Sequence, residues 1–292
     1  MVIGFIGFGE AAAAIAEGLH EEGVKEMVFY DVLQNAPGKA EHFAEKSRKT
    51  GAVMQPSAAE VCQLSQIVFS AAPSNYALDA AQSALDGIHG GCIYVDVSTA
   101  TPAEKKRISR LVEERGGKFV DGAMMGTLLK DRHKVNMLLC GSGAQELCDT
   151  MTPYHMRMTV VEGEPGVATS IKFIRSITAK GLSCLLLESL QAAQKFGVED
   201  TIVDSFLDSF GDSFVKILDG YLSGAIIHAQ RREHELQNVV DFLKEEGLPF
   251  TMAEATREKL QWIHDTDIKG NFENGVGRTW QAVLSGWKLN NN

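Results

Sequence analysis

The rhythm of apolar residues changes once along this chain, near residue 162, and that change constrains the fold more than any single motif. Before it, short apolar runs alternate with stretches of helical period. VIGFIG at 2–7 is followed by a helical stretch from Glu10 to Gly23, EMVFYDV at 26–32 by a charged helical stretch at 38–51, and QIVFSAAP at 66–73 by a helix opening near Tyr76. GCIYVDVST at 91–99 precedes a helix opening at Thr101, and KFVDGAMMG at 118–126 and VNMLLCG at 135–141 complete the series. A period of 2 switching repeatedly to 3.6 is the signature of βαβ units and implies a mostly parallel sheet with helices on both faces. After Gly163 only helical spacing recurs, broken at Gly197, Gly220, EEGLPF and KGNFENGVGR. The expected architecture is an α/β doubly wound parallel sheet over residues 1–162, followed by an all-α domain over 163–292.

A chain of 292 residues has room for two such domains, each with its own core. Its formal net charge of -10, with no basic stripe, argues against nucleic acid or an anionic membrane as partner, so an acidic ligand has to find local cations. The five cysteines, Cys62, Cys92, Cys140, Cys148 and Cys184, are odd in number and lack metal-ligand spacing, which favours a reduced, cytoplasmic setting. No metal site is expected: Asn238 stands where an HExxH motif starting at His234 would need its second histidine. The apolar start has no basic flank and contains Glu10 and Glu17, so it reads as part of the fold rather than a signal peptide.

Within that frame the stretch Gly7, Phe8, Gly9, Glu10, Ala11, Ala12 acquires meaning. A dinucleotide-binding turn needs one glycine for a tight strand-to-helix turn, a second where backbone approaches the diphosphate, and a small third residue where helix packs on strand. Gly7, Gly9 and Ala12 fill those places, after a strand and at the opening of a helix. Asp31 ends the next strand, where a carboxylate accepts hydrogen bonds from the adenosine ribose and repels a 2′-phosphate. The expected cofactor of this Rossmann-type domain is NAD, with NADP not excluded because Lys39, Lys46 and Arg48 follow; on their helix these three read as a solvated face.

That stretch and three others carry a resemblance. GFIGFGEAAAAIAEGL, FSAAPSN, VDVSTATP and GEPGVATSIKFIRS together resemble the β-hydroxyacid dehydrogenase family, which includes 3-hydroxyisobutyrate and 6-phosphogluconate dehydrogenases, and the later helices resemble a divergent phosphogluconate-dehydrogenase-like domain. The resemblance implies that Ala72, Pro73 and Thr99 contact the cofactor and that Ser98 lies with the substrate. It also places Met125, Gly126 and Thr127 where the family has a substrate-recognition Ser-Gly-Gly, and Lys172 where it has a catalytic lysine. Ser176 replaces the family's asparagine, one helical turn beyond Lys172.

The chemistry agrees with these assignments. Oxidising an alcohol needs a base for the hydroxyl proton while the hydride departs, and a lysine partly removed from water can have its pKa lowered toward neutrality. Arg175 can hold a substrate carboxylate. His228, Arg231 and Arg232 form a second basic group, although Arg231 and Glu235 are four apart and suit a helix-surface ion pair. The reading is an NAD(P)-dependent oxidoreductase of a small hydroxy acid, paired as a homodimer through its apolar helical half. Two other readings are an imine reductase on the same fold, which Lys172 counts against, and a non-catalytic nucleotide sensor.

Overall fold

The computed structural model of the chain describes residues 1–126, 128–266, 268–272 and 276–287. Eight strands form one sheet: β1 (Ile3–Ile6), β2 (Met27–Tyr30), β3 (Val53–Met54), β4 (Ile67–Ser70), β5 (Ile93–Asp96), β6 (Lys118–Met124), β7 (Met137–Cys140) and β8 (Met158–Val160). Their order is β3-β2-β1-β4-β5-β6-β7-β8, so the winding direction reverses between β1 and β4. Between the strands run α1 (Glu10–Glu21), α2 (Ala40–Thr50), α3 (Ala58–Leu64), α4 (Ala77–Ala84), α5 (Pro102–Glu114), α6 (Leu128–Asp131) and α7 (Ala144–Met151).

The central strands read as unbroken apolar runs because both faces are covered. On one face Phe5, Phe69 and Val95 pack with Ile15 and Leu19 of α1 and Leu147 of α7. On the other, Val68 and Tyr94 pack with Val61 of α3, Ala81 of α4 and Ile108 of α5. The sheet is not parallel throughout: β7 runs antiparallel to β6, then pairs parallel with β8.

The rest of the described chain is helical: α8 (Val167–Phe196), α9 (Glu199–Phe210), α10 (Phe214–Ile227), α11 (Ala229–Glu245), α12 (Thr251–Asp265) and α13 (Trp280–Gly286). Their apolar stripes meet in a core that includes Leu187, Leu218, Leu236, Val239, Leu260 and Val283. The chain divides into two compact units, Met1–Lys172 and Phe173–Asn292. Strands end at β8, close to residue 162, but the first turns of α8 still belong to the sheet unit because Asp121 of β6 holds them. Among the described residues no helix is long and apolar enough to cross a membrane.

Candidate active site

Four parallel strands end on one row of register partners, Tyr30, Ile6, Ser70 and Asp96, and the row continues into β6 at Asp121. Gly7 follows Ile6 and Asp31 follows Tyr30, while Ala72 and Ser98 lie two residues beyond Ser70 and Asp96. At the switch point between β1 and β4, Gly7 has φ +78, and a Cβ there would come within 3.0 Å of Ala72 N. Only glycine satisfies both the left-handed backbone and the close approach of the Ala71–Ala72 strand end. Gly9 is the N-cap of α1; among the described residues a Cβ on it would meet nothing within 4 Å, and no side chain caps the helix. The N–H groups of Glu10, Ala11 and Ala12, in the first turn at the positive end of the helix dipole, have no intrahelical acceptor, an arrangement that fits a diphosphate. Ala12 is fully buried beneath them.

Asp31 shapes the same loop. Its Oδ2 accepts from Phe8 N at 2.7 Å and its Oδ1 from Leu33 N at 2.9 Å. Each carboxylate oxygen keeps a second lone pair for a ribose hydroxyl. Lys46, expected on a solvated face with Lys39 and Arg48, instead donates to Phe8 O at 2.6 Å and lies 5.4 Å from the Phe43 ring centroid. Burial lowers its pKa, opposed by the charges of Asp31 and Glu10. Arg48 does stay in solvent, paired with Glu41.

Beyond β4, Ala72 and Pro73 lead into a 3₁₀ turn at Ser74–Tyr76. Beyond β5, Ser98 is buried: its N–H donates to Asp96 Oδ1, and its hydroxyl oxygen accepts from Ala100 N. Thr99 is half-buried, and Thr101 closes the segment as the N-cap of α5 in a reciprocal capping box with Glu104. Met125 is half-buried and donates through N to Asn136 O, and Gly126 is exposed. Thr127 lies outside the described residues.

Sequence reasoning passed over the group that ties these parts together. Lys105, from α5, is completely buried, with Nζ 2.7 Å from Asp96 O, 3.2 Å from Asp96 Oδ2 and 3.5 Å from Asp121 Oδ1. Asp121 in turn receives three hydrogen bonds from the entry to α8: Gly166 N at 3.1 Å, Thr169 N at 3.0 Å and Thr169 Oγ1 at 2.6 Å. Gly166 packs on α5, where a Cβ would stand 2.9 Å from Pro102 O. The helix bearing Lys172 thus starts beside the same row of strand ends as the glycine turn. Lys172 is half-buried; Ser176, four residues on, accepts from Lys180 Nζ at 3.2 Å; Arg175 is exposed.

A family model described as the NAD binding domain of 6-phosphogluconate dehydrogenase matches residues 2–160. The chain belongs to this family. A second model, a domain of unknown function (DUF1932), matches residues 193–263. An uncharacterized 28.5 kDa protein of Methanothermus fervidus is 28% identical over 265 residues, covering 91% of this chain and 100% of that one. The mitochondrial 3-hydroxyisobutyrate dehydrogenase of Drosophila melanogaster is 29% identical over 126 residues, 42% of this chain and only 36% of the fly enzyme. Among solved structures, a conserved protein described as structurally similar to 3-hydroxyacid dehydrogenases is 30% identical, with a TM-score of 0.75, covering 92% of this chain and 99% of that one. The family supplies an NAD(P)-binding domain, and the fold is that of the 3-hydroxyacid dehydrogenases.

Proposed function

We propose that the chain is an NAD-dependent dehydrogenase that moves a hydride between the nicotinamide and the alcohol carbon of a small hydroxy acid, with Lys172 as general acid and base. The observation that carries this reading is the anchoring of α8. Asp121 accepts three hydrogen bonds from residues 166–169, and this fixes the helix that bears Lys172 at the strand ends where the dinucleotide turn lies. The relatives named 3-hydroxyisobutyrate dehydrogenase support the substrate class.

The residues divide the work as follows. The N–H groups at the start of α1 take the diphosphate, and the second lone pairs of the Asp31 oxygens take the ribose hydroxyls. The bound nicotinamide supplies the hydride acceptor in oxidation and the donor in reduction. Lys172 Nζ, neutral before oxidation, takes the hydroxyl proton as the carbon gives up its hydride and later releases it to solvent; reduction runs the transfer in reverse. Ser176 offers a hydroxyl one turn along the same helix.

A panel of hydroxy acids and sugar acids, followed by nicotinamide absorbance, identifies the substrate. Lys172→Ala is then expected to lose roughly 10²–10⁴-fold in kcat, the usual contribution of a positioned acid/base, while binding NADH within about twofold of the parent. Unchanged turnover in that variant removes Lys172 from the chemistry. Tight NADH binding with no turnover of any member of the panel by the parent chain supports the nucleotide sensor instead.

A further inference from the structure

Three side chains under the strand ends carry polar atoms that the surrounding residues leave unmatched. Ser70 ends β4, Tyr94 and Asp96 stand two residues apart on β5, and Ser70–Asp96 and Val68–Tyr94 are register partners. Alternate residues of a strand share a face, and so do register partners on neighbouring strands. All three therefore point to the face covered by α3, α4 and α5, where Tyr94 packs with Val61, Ala81 and Ile108. Each is at most 1% exposed, and Ser70 Oγ, Tyr94 Oη and Asp96 Oδ2 form no hydrogen bond among the described residues.

The charged neighbour does not supply the missing bonds. Lys105 Nζ donates to Asp96 O at 2.7 Å and meets Oδ2 as an ion pair at 3.2 Å, while Asp96 Oδ1 is taken by Ser98 N at 2.9 Å. Burial pushes the pKa of the Tyr94 phenol well up; the charge of Asp96 and the thiols of Cys62 and Cys92 add to the shift, and the neighbouring Ser70 hydroxyl opposes it. Tyr94 thus keeps its proton and can donate as well as accept, like Ser70, whereas an ionised Asp96 Oδ2 only accepts. Direct bonds from Tyr94 to Ser70 and from Ser70 to Asp96 would satisfy all three, and the side chains as placed make neither. A buried hydroxyl left without a partner is costly, so a group of three on one face calls for a common ligand.

We propose that Ser70, Tyr94 and Asp96 form the binding site of one interior water. The water accepts from the hydroxyls of Tyr94 and Ser70 and donates to Asp96 Oδ2, which gives it the three partners usual for a buried water. On this face the row of strand ends reads Ile6, Ser70, Asp96, Asp121. The serine is the shortest side chain in the row, and the room it leaves is of the order of one water. Ser70 and Asp96 are the last residues of their strands, so the water ties the ends of β4 and β5 together beneath the segments that leave the sheet at Ala71 and Val97. The site stands apart from the dehydrogenase reading and holds whether or not Lys172 takes part in chemistry.

A high-resolution crystal structure of the full chain, together with thermal unfolding of two variants, tests the site. The expected result is a density peak at hydrogen-bond distance, about 2.7–3.2 Å, from Ser70 Oγ, Tyr94 Oη and Asp96 Oδ2. Tyr94→Phe removes one partner of the water and is expected to lower the melting temperature by about 2–4 °C. Ser70→Ala is expected to act in the same direction, and the double variant to lose less than the sum, because both hydroxyls bind one water. Where Tyr94→Phe fails to fold, Ser70→Ala decides by the same comparison with the parent. Absence of the peak, with Tyr94 Oη placed directly on Ser70 Oγ, overturns the proposal. So does a melting temperature unchanged or raised in Tyr94→Phe, the result for a hydroxyl with no partner to lose. Fully additive losses assign the two hydroxyls to separate partners and overturn it as well. A peak at about 2.4 Å from the three oxygens marks a metal cation in place of the water, with the same consequence.

Discussion

Asp31 accepts from Phe8 N and Leu33 N through different oxygens, so one side chain both shapes the dinucleotide turn and presents a negative charge at its edge. A 2′-phosphate at that place meets this charge, although the Lys46 ammonium lies on the other side of the loop, donating to Phe8 O. Charge-assisted hydrogen bonds of this kind contribute about 1.5–3 kcal/mol each. Asp31→Ser is therefore expected to weaken NADH by tenfold or more and to lower the ratio of the NADPH to the NADH dissociation constant by at least tenfold, read by nicotinamide fluorescence. An unaltered ratio would mean that Asp31 serves the loop alone. Gly7 and Asp31 were legible in the sequence because backbone geometry demands those residue types at that spacing. Lys46 was not: it shares its helix with Lys39 and Arg48, and only its position over Phe43 and Phe8 sets it apart.

At the scale of elements, the start of α8 depends on a buried ionic group. Asp121 lies between Lys105 on one side and the first turn of the helix on the other, and all of its charged partners are removed from solvent. Taking one member from a buried pair leaves the other uncompensated, at about 3–5 kcal/mol. Asp121→Ala is expected to lower the melting temperature of the chain by roughly 10 °C, following the usual conversion for a unit of this size, with Thr169→Val giving a smaller loss in the same direction. A melting temperature within about 2 °C of the parent in Asp121→Ala would show that the helix is held by packing. The periodicity that revealed each strand said nothing of this link, since a lysine in PAEKKRIS looks like any charged helix face until the fold buries it. The antiparallel turn of β7 escaped for a related reason: VNMLLCG carries the same apolar run in either direction, and direction is set by the chain length available between β6 and β7, where no full crossover helix fits.

For the whole molecule, the alternation of strand and helix was legible because every βαβ unit repeats the same local pattern, whereas the matching of charges is a property of the assembled fold and has consequences for its response to acid. His133 is buried, with neither ring nitrogen hydrogen-bonded among the described residues. Burial lowers its pKa below 6.5, reinforced by Lys134 and Arg132 and opposed by Glu22, whose Oε1 lies 3.5 Å away. Lys134 and His155, through hydrogen bonds to Glu22, hold that carboxyl at about 2; Arg132 pairs with Glu21 and lies near Glu17. An unfolded chain binds a proton on His133 more readily than the folded one, so this contribution is fully present above pH 6.5 and is lost as pH falls below it, at up to about 1.4 kcal/mol per pH unit for one proton. The depressed carboxyl of Glu22 acts later, its stabilisation present above the ordinary carboxylate range and lost as pH falls from about 4.5 toward 2. Urea unfolding is expected to show a midpoint that declines between pH 7 and pH 5, and His133→Gln is expected to flatten that decline while leaving the loss below pH 4.5 in place. A variant whose midpoint falls across pH 7 to 5 as steeply as the parent's would assign the acid sensitivity to other groups.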